Sequence, residues 1–346
     1  MKRLKRGVTL FASTHSGELL CGTLKKSFRL SSPEARDQVA LLAGSVFSSS
    51  ATHVRTLQDL EALGLLDESE GKLQLTKRYD VGAASHDAAF QQLRVRVAAE
   101  LSQTTWIDGV TDTGIAVLNA RQNFLIEISG TNRVATLLYS ILLASGVTQV
   151  RYAAQSSARI SDLDIGLAGI MPKDIGTPLV KERESHRQDF SLFPLDKEMN
   201  YLDELSTPDL VIQCGDIDPE KYAQWMAEGQ PFLYIPNPIA DVAEIGPLVI
   251  PGKTPCIRCA QMAHQDRAHS YSSPTLSATP CNIYPIIAAH NVASLAAAAA
   301  IAYCDGATVQ KDFGVTGKVI VCDYQSLSSP QEILIALNPR CGCTFN

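Results

Sequence analysis

Two pairs of cysteines constrain what this 346-residue chain can fold into: Cys256-Ile-Arg-Cys259 and, about eighty residues later, Cys341-Gly-Cys343. Two close thiol pairs are the donor set of a tetrahedral Zn²⁺ site with four sulfur ligands, and building one requires these distant segments to meet. Pro255 precedes one pair and Pro339-Arg340 the other, so each sits on a tight turn that can aim both sulfurs inward. Four thiolates close the coordination sphere and leave no position for water, so the expected site is structural, a clip returning the C-terminal segment to the body. The second pair is CxC rather than the commoner CxxC. A redox CxxC, or four unrelated buried thiols, stands as the alternative.

The length leaves room for two domains with sizeable cores. A hydrophobic content of 45% and a formal charge of −6 describe an ordinary soluble chain with no excess for binding polyanions. The basic start, Met-Lys-Arg-Leu-Lys-Arg, runs into Gly-Val-Thr-Leu rather than the apolar core of a signal peptide. The alanine-rich stretch from Val292 to Tyr303 holds Ser294 and reads as a closely packed helix, too short to span a bilayer. No membrane partner is expected. Nine scattered cysteines fit a reducing cytoplasm better than a disulfide framework.

The first eighty or so residues read as a separate unit. Gly7 to Phe11 and Leu19 to Leu30 suggest short strands, joined through Thr14-His15-Ser16-Gly17. Ser32-Pro33-Glu34 starts a helix, with Ser31 or Ser32 as cap and proline in the first turn, running to about Gly44. A second helix from Val54 puts Leu57, Leu60 and Leu63 on one face, stops at Gly64, and is followed by a strand at Lys72-Leu-Gln-Leu-Thr. Strands, helices and a terminal hairpin describe a small winged-helix-like α+β module. Asp59 and Glu61 make its second helix a poor reader of DNA, so no nucleic-acid partner is expected. A free strand edge beside a helix is instead a groove for peptide strand addition. The expected contacts are Leu24, Phe28 and Leu30 on the strand and Leu57 and Leu60 on the helix. A plain packing or dimerisation module is the alternative.

After a helical stretch near Ala88 to Leu101, strands and helices alternate, the mark of a parallel sheet. Strands are expected at Phe124 to Ile128, Thr148 to Tyr152, Asp209 to Cys214 and Pro231 to Ile235, with a helix from Val134 to Gly146. Lys318 to Tyr324 is expected to close the series as a late edge strand.

Several landmarks recur in order here: Ala144-Ser-Gly146-Val-Thr-Gln-Val, Ser161-Asp-Leu163, Asp174-Ile-Gly176-Thr-Pro178, Asp209 to Asp216, and Val249 to Cys259 with the terminal cysteine pair. Together they resemble the ThiF/MoeB/E1-like adenylyltransferases over roughly residues 120 to 346. The resemblance implies an E1-like Rossmann-type sheet with structural zinc and a homodimer. It also implies a MgATP site, and the residues for one are largely missing. The phosphate-binding turn is Ser129-Gly130-Thr-Asn-Arg-Val134, with one glycine where the family uses three or four; Thr131, Asn132 and Arg133 would fill the nucleotide's space. The second strand ends in Tyr152-Ala-Ala-Gln-Ser, with no carboxylate for ribose. The expected arginine falls near Ile165 and the expected lysine on Leu179, two residues before Lys181. Asp216 alone matches, at the family's magnesium-associated aspartate. Gly130 and Asp216 therefore read as a vestigial nucleotide site, with ATP not expected to bind.

A leader-recognition element, a degenerate E1-like body and a Pro-Arg-Cys-Gly-Cys terminus resemble the ThiF-like partner proteins of azoline-forming cyclodehydratases. By that resemblance, residues 1–80 form a peptide-recognition domain, 81–120 a helical connector, and 121–346 a degenerate E1-like domain with a zinc clip. The implied role is to bind a precursor (leader) peptide and present it to a separate YcaO-type enzyme, with no catalytic residue of its own. The alternative is an adenylyltransferase with an unorthodox site around Asp216, Lys181 and Arg133. Cys281, after the Ser/Thr-rich stretch from Ser270 to Thr279, lies where some relatives carry a reactive cysteine, but has no adjacent basic cluster.

Overall fold

Tertiary contacts divide the chain into two units, Met1–Ala120 and Arg121–Asn346. The structure, a computed structural model, describes residues 2–12, 18–43, 54–69, 71–72, 86–153, 157–193, 206–239, 241–268, 283–324 and 329–343. The expected link at Thr14 to Gly17, most of the strand from Lys72, the stretch from Ser270 to Thr279 and Cys281 lie outside them.

In the first unit, β1 (Arg3–Leu4) pairs antiparallel with β5 (Leu66–Asp67), and β2 (Thr9–Ala12), β3 (Leu19–Gly22) and β4 (Ser27–Arg29) form an antiparallel sheet in that order. Between them come α1 (Pro33–Leu42) and α2 (Val54–Ala62), and α3 (His86–Thr104) follows. Ser32 caps α1: its Oγ accepts from the Ala35 N–H at 3.2 Å. Cys21, Leu30, Val39, Leu60 and Leu65 form the core, with Phe28, Leu57 and Trp106 packed at its margin.

α4 (Ile115–Arg121) spans the boundary into the second unit. That unit is built on β6 (Leu125–Ser129), α5 (Arg133–Ala144), β7 (Gln149–Ala153), α6 (Leu179–Ser185), α7 (Arg187–Phe190), β8 (Leu210–Cys214), α8 (Pro219–Glu228) and β9 (Phe232–Ile235). After these come β10 (Val242–Ile245), β11 (Leu248–Val249), α9 (Ile257–Ala268), α10 (Ile286–Val309), β12 (Lys318–Asp323) and β13 (Gln331–Leu334). The main sheet has the order β11-β9-β8-β6-β7, parallel except for β11. β8 is buried at every residue, as a strand covered on both faces must be.

Two expectations need correction. Lys318 to Tyr324 does not close the main sheet: β12 is the central strand of a separate antiparallel sheet, β10-β12-β13. Its pattern of apolar residues specifies a strand but not its partners. The alanine-rich stretch is not short either. α10 has 24 residues, with a mean hydropathy of 1.6 over its most apolar 18-residue window, long and apolar enough to cross a membrane by length and composition. Its physical reason lies in packing, since Ala289, Ala293, Ala296 and Ala300 are fully buried and α10 packs against α5. Asp305 near its end accepts a bidentate pair from Arg121, Nε to Oδ1 at 2.8 Å and Nη2 to Oδ2 at 2.6 Å, with Arg121 wholly buried.

Candidate functional site

Where strand order reverses in an open parallel sheet, the carboxyl ends of neighbouring strands part and leave a crevice for ligands. Here the chain goes from β6 to β7 on one side and returns to β8 on the other, so the crevice opens after Ser129 and Cys214. Gly130 sits at its base with φ +115°, and a Cβ there would lie 2.0 Å from the Cys214 carbonyl oxygen. The glycine is thus required by the close approach of β6 and β8, whatever binds above it.

The side chains at the phosphate-binding turn are partly engaged: Asn132 Nδ2 and Arg133 Nε have no hydrogen-bond partner, while other atoms of both residues are held. Asn132 caps α5, its Oδ1 accepting from the Ala135 N–H at 3.1 Å. Arg133 turns aside and donates through Nη1 to the Tyr284 carbonyl at 2.9 Å, while the Tyr284 hydroxyl donates to the Pro236 carbonyl at 2.5 Å. Tyr284, 1% exposed, thereby ties the start of α5 to the loop after β9. A cleft of about 270 Å³ remains beside this latch, lined by Asn132, Arg133 and Tyr284 themselves together with Thr131, Arg159 and Ser161 among others. Asp216 is exposed, its Oδ1 accepting from Asn237 Nδ2 at 3.2 Å. No ion pair joins it to Arg133 or to the exposed Lys181 among the described residues. Cys214 lies close by, but burial pushes its thiol well above the ordinary range, which removes it as a nucleophile.

The two cysteine pairs meet. Sγ of Cys256 lies 3.9 Å from that of Cys259 and 3.4 Å from that of Cys341, and Cys259 and Cys343 are 3.5 Å apart. All four sulfurs fall within 4.8 Å of one another. A tetrahedron with metal–sulfur bonds of about 2.3 Å has edges of about 3.8 Å, so the set is of the right size for one ion. Cys256 and Cys259 are buried at the head of α9 against Trp225, Phe232 and Val249. The backbone N–H of Asn338 points at Cys259 Sγ from 3.5 Å, the kind of donor that supports a thiolate. Burial and the crowding of like groups push the Cys343 thiol up to about 11, and Cys341 up as well, while at Cys256 burial is outweighed by hydrogen bonds from Tyr222 and the neighbouring thiols, which hold it below its ordinary value. A cation is what four sulfurs this close would need to ionise together.

β4 is the edge of its sheet among the described residues. Cys21 and Phe28 are register partners, Thr23 donates to the Lys26 carbonyl and Leu30 to that of Leu19. The alternation then turns the N–H and C=O of Ser27 and Arg29 outward, open to another strand. The five expected contact residues separate accordingly. Leu24 is fully exposed in the β3–β4 turn, Phe28 and Leu57 are half-buried, and Leu30 and Leu60 are core residues a peptide does not reach.

No protein-family model matches the sequence, and no curated protein matches it. Solved structures do match. E. coli MccB with ATP aligns over 99% of both chains at 14% identity and a TM-score of 0.65. MccB with N-formylated MccA, described as the Microcin C7 biosynthetic enzyme, gives 13% identity and the same score over 99% of both chains. The chain has the fold of MccB. A heterocyclase in complex with substrate and cofactor also aligns, at 13% identity and a TM-score of 0.53, over 99% of this chain but 39% of its own.

Sequence reasoning missed Tyr284 and Asn338. Neither carries a motif, and each acts through a backbone or hydroxyl group whose partner lies 48 residues or more away. Asn132 did carry a signal, a cap-type residue just before an apolar helix.

Proposed function

We propose that the protein is a non-catalytic E1-like scaffold that binds a precursor (leader) peptide and presents it to a separate YcaO-type cyclodehydratase in thiazole/oxazole-modified peptide biosynthesis. The observation that carries this reading is the state of the crevice: its turn offers one glycine, with Asn132 Oδ1 capping α5 and Arg133 Nη1 held by the Tyr284 carbonyl. The open edge of β4 supplies main-chain groups for an added peptide strand, with Leu24 and Phe28 nearby and the first unit acting as a winged-helix-like recognition module. Complexes of MccB with MccA and of a heterocyclase with its substrate, both on this fold, lend support.

Cys256, Cys259, Cys341 and Cys343 then hold one structural Zn²⁺, with no position left for a substrate. The same reading places the protein in the cytoplasm as a homodimer formed by its second unit. Metal analysis of reduced protein should find one zinc per chain; metal-free protein with the same fold would refute that part.

A second reading keeps the chemistry: an adenylyltransferase acting on a peptide C-terminus through Asp216, Lys181 and Arg133. The alignment with ATP-bound MccB over the full length of both chains favours it. Calorimetry with MgATP, and ATP–pyrophosphate exchange with a candidate precursor peptide, decide between the two. The scaffold reading expects no heat and no exchange. Binding that is lost in Asp216→Ala, together with exchange, would overturn it.

A further inference from the structure

The first unit holds a cleft that neither the crevice nor the strand edge accounts for. It measures about 320 Å³ and lies between the β1–β5 ladder and the turns after α3. Lys5 forms part of its lining, and the residue is 6% exposed. Its ammonium donates to the carbonyl oxygens of Thr105 at 2.7 Å and Val110 at 2.6 Å. An ammonium has three N–H groups, so one donor remains. Both hydrogen-bond partners are neutral, and a buried cation held by neutral groups is expensive unless a counter-charge arrives. Asp67, Asp108 and Asp112 act on Lys5 at a distance, and Glu68 also lines the cleft; burial pushes the Asp67 carboxyl up toward the neutral form, and its Oδ1 has no hydrogen-bond partner.

The cleft wall is Trp106 with Leu66, and a Cβ placed on Gly7 would lie 3.7 Å from the indole. Two ion pairs mark the rim, Lys2 with Glu61 and Lys26 with Asp108. All four of their side chains are 45–66% exposed, so solvent screens them and an incoming anion can recruit either lysine. Lys26 immediately precedes β4, so a strand laid on the edge of β4 ends beside this cleft.

We infer that this cleft receives a carboxylate of a bound peptide, an Asp or Glu side chain or a C-terminus, seated on the Lys5 ammonium with its stem against Trp106. The inference rests on the peptide-binding reading only for the source of the carboxylate; the cleft itself is tested with small probes, independently of the strand edge.

The test is a titration of the full chain, following Trp106 fluorescence in a Trp225→Phe background and the Lys5 Nζ resonance in ¹⁵N-lysine-labelled protein. The probes are N-acetyl-aspartate N-methylamide, its asparagine counterpart, N-acetyl-leucine and inorganic phosphate. Saturable shifts at both positions are expected for a carboxylate probe, at least tenfold weaker for the carboxamide. The aspartate probe binding better identifies a side chain, and acetyl-leucine a C-terminus. Lys5→Met should weaken binding at least tenfold; because it also takes a donor from the two carbonyls, the exposed change Lys26→Ala serves as a second variant and should weaken binding two- to fivefold. Equal responses to carboxylate and carboxamide, no response at tens of millimolar, or phosphate binding as well as the carboxylates would overturn the assignment. Loss of peptide binding at β4 with these shifts intact would instead count against the strand-addition reading alone.

Discussion

At the scale of the residue, Gly130 shows how packing alone can demand a glycine. Its φ of +115° and its approach to the Cys214 carbonyl leave no room for a side chain. Gly130→Ala should therefore lower unfolding stability by about 2–4 kcal/mol, through backbone strain and forced separation of β6 from β8. A urea melt checks this, and an unchanged midpoint would mean the two strands part more easily than they are drawn here. The sequence singled out the glycine only through the expected vestigial nucleotide site. Its packing role was not, because the atom that forbids a Cβ belongs to a strand more than eighty residues downstream. Tyr284 was illegible for the same reason: its partners Arg133 and Pro236 lie 151 and 48 residues away.

At the scale of the element, local signals read well and pairings did not. The expected strands at Phe124, Thr148, Asp209 and Pro231 correspond to β6, β7, β8 and β9, because each is an aliphatic run bounded by turn residues. Ser32 was readable as a cap for the same local reason. β12 has an equally clear pattern, yet its place was decided by β10 and β13, which the pattern does not name. The edge of β4 yields the next prediction. Arg29→Pro removes an outward N–H while sparing the ladder to β3, which runs through Cys21 and Phe28. Peptide binding should fall at least tenfold by calorimetry, against a small change for Arg29→Ala, which also breaks the exposed pair with Glu18. Equal effects of the two variants would place the peptide elsewhere. Leu30→Ala and Leu60→Ala, by contrast, should act on stability, at about 2–4 kcal/mol each, because both side chains are buried.

At the scale of the whole molecule, the sulfur cluster joins α9 to a segment 82 residues further on. If the cluster holds the proposed metal, removing it with a strong chelator, or making Cys343→Ser, should lower the thermal midpoint and expose the segment after β13 to proteases, while the parallel sheet keeps its far-UV signal. Limited proteolysis with mass spectrometry reads the result; an unaltered cleavage pattern would mean that Ile335 and its neighbours in the apolar core hold the segment unaided. The order of manufacture also follows from this arrangement. A ribosome delivers the β6–β9 sheet, α9 and α10 before it delivers Cys341 and Cys343, and domains begin to fold as they emerge. The first cysteine pair must therefore wait, open and able to hold metal only weakly, until the second arrives. A chain broken off before residue 341 would carry nearly the whole sheet yet never close its clasp. Half-made copies would thus differ from finished ones by a pair of bare thiols, a difference that a protease or chaperone can read.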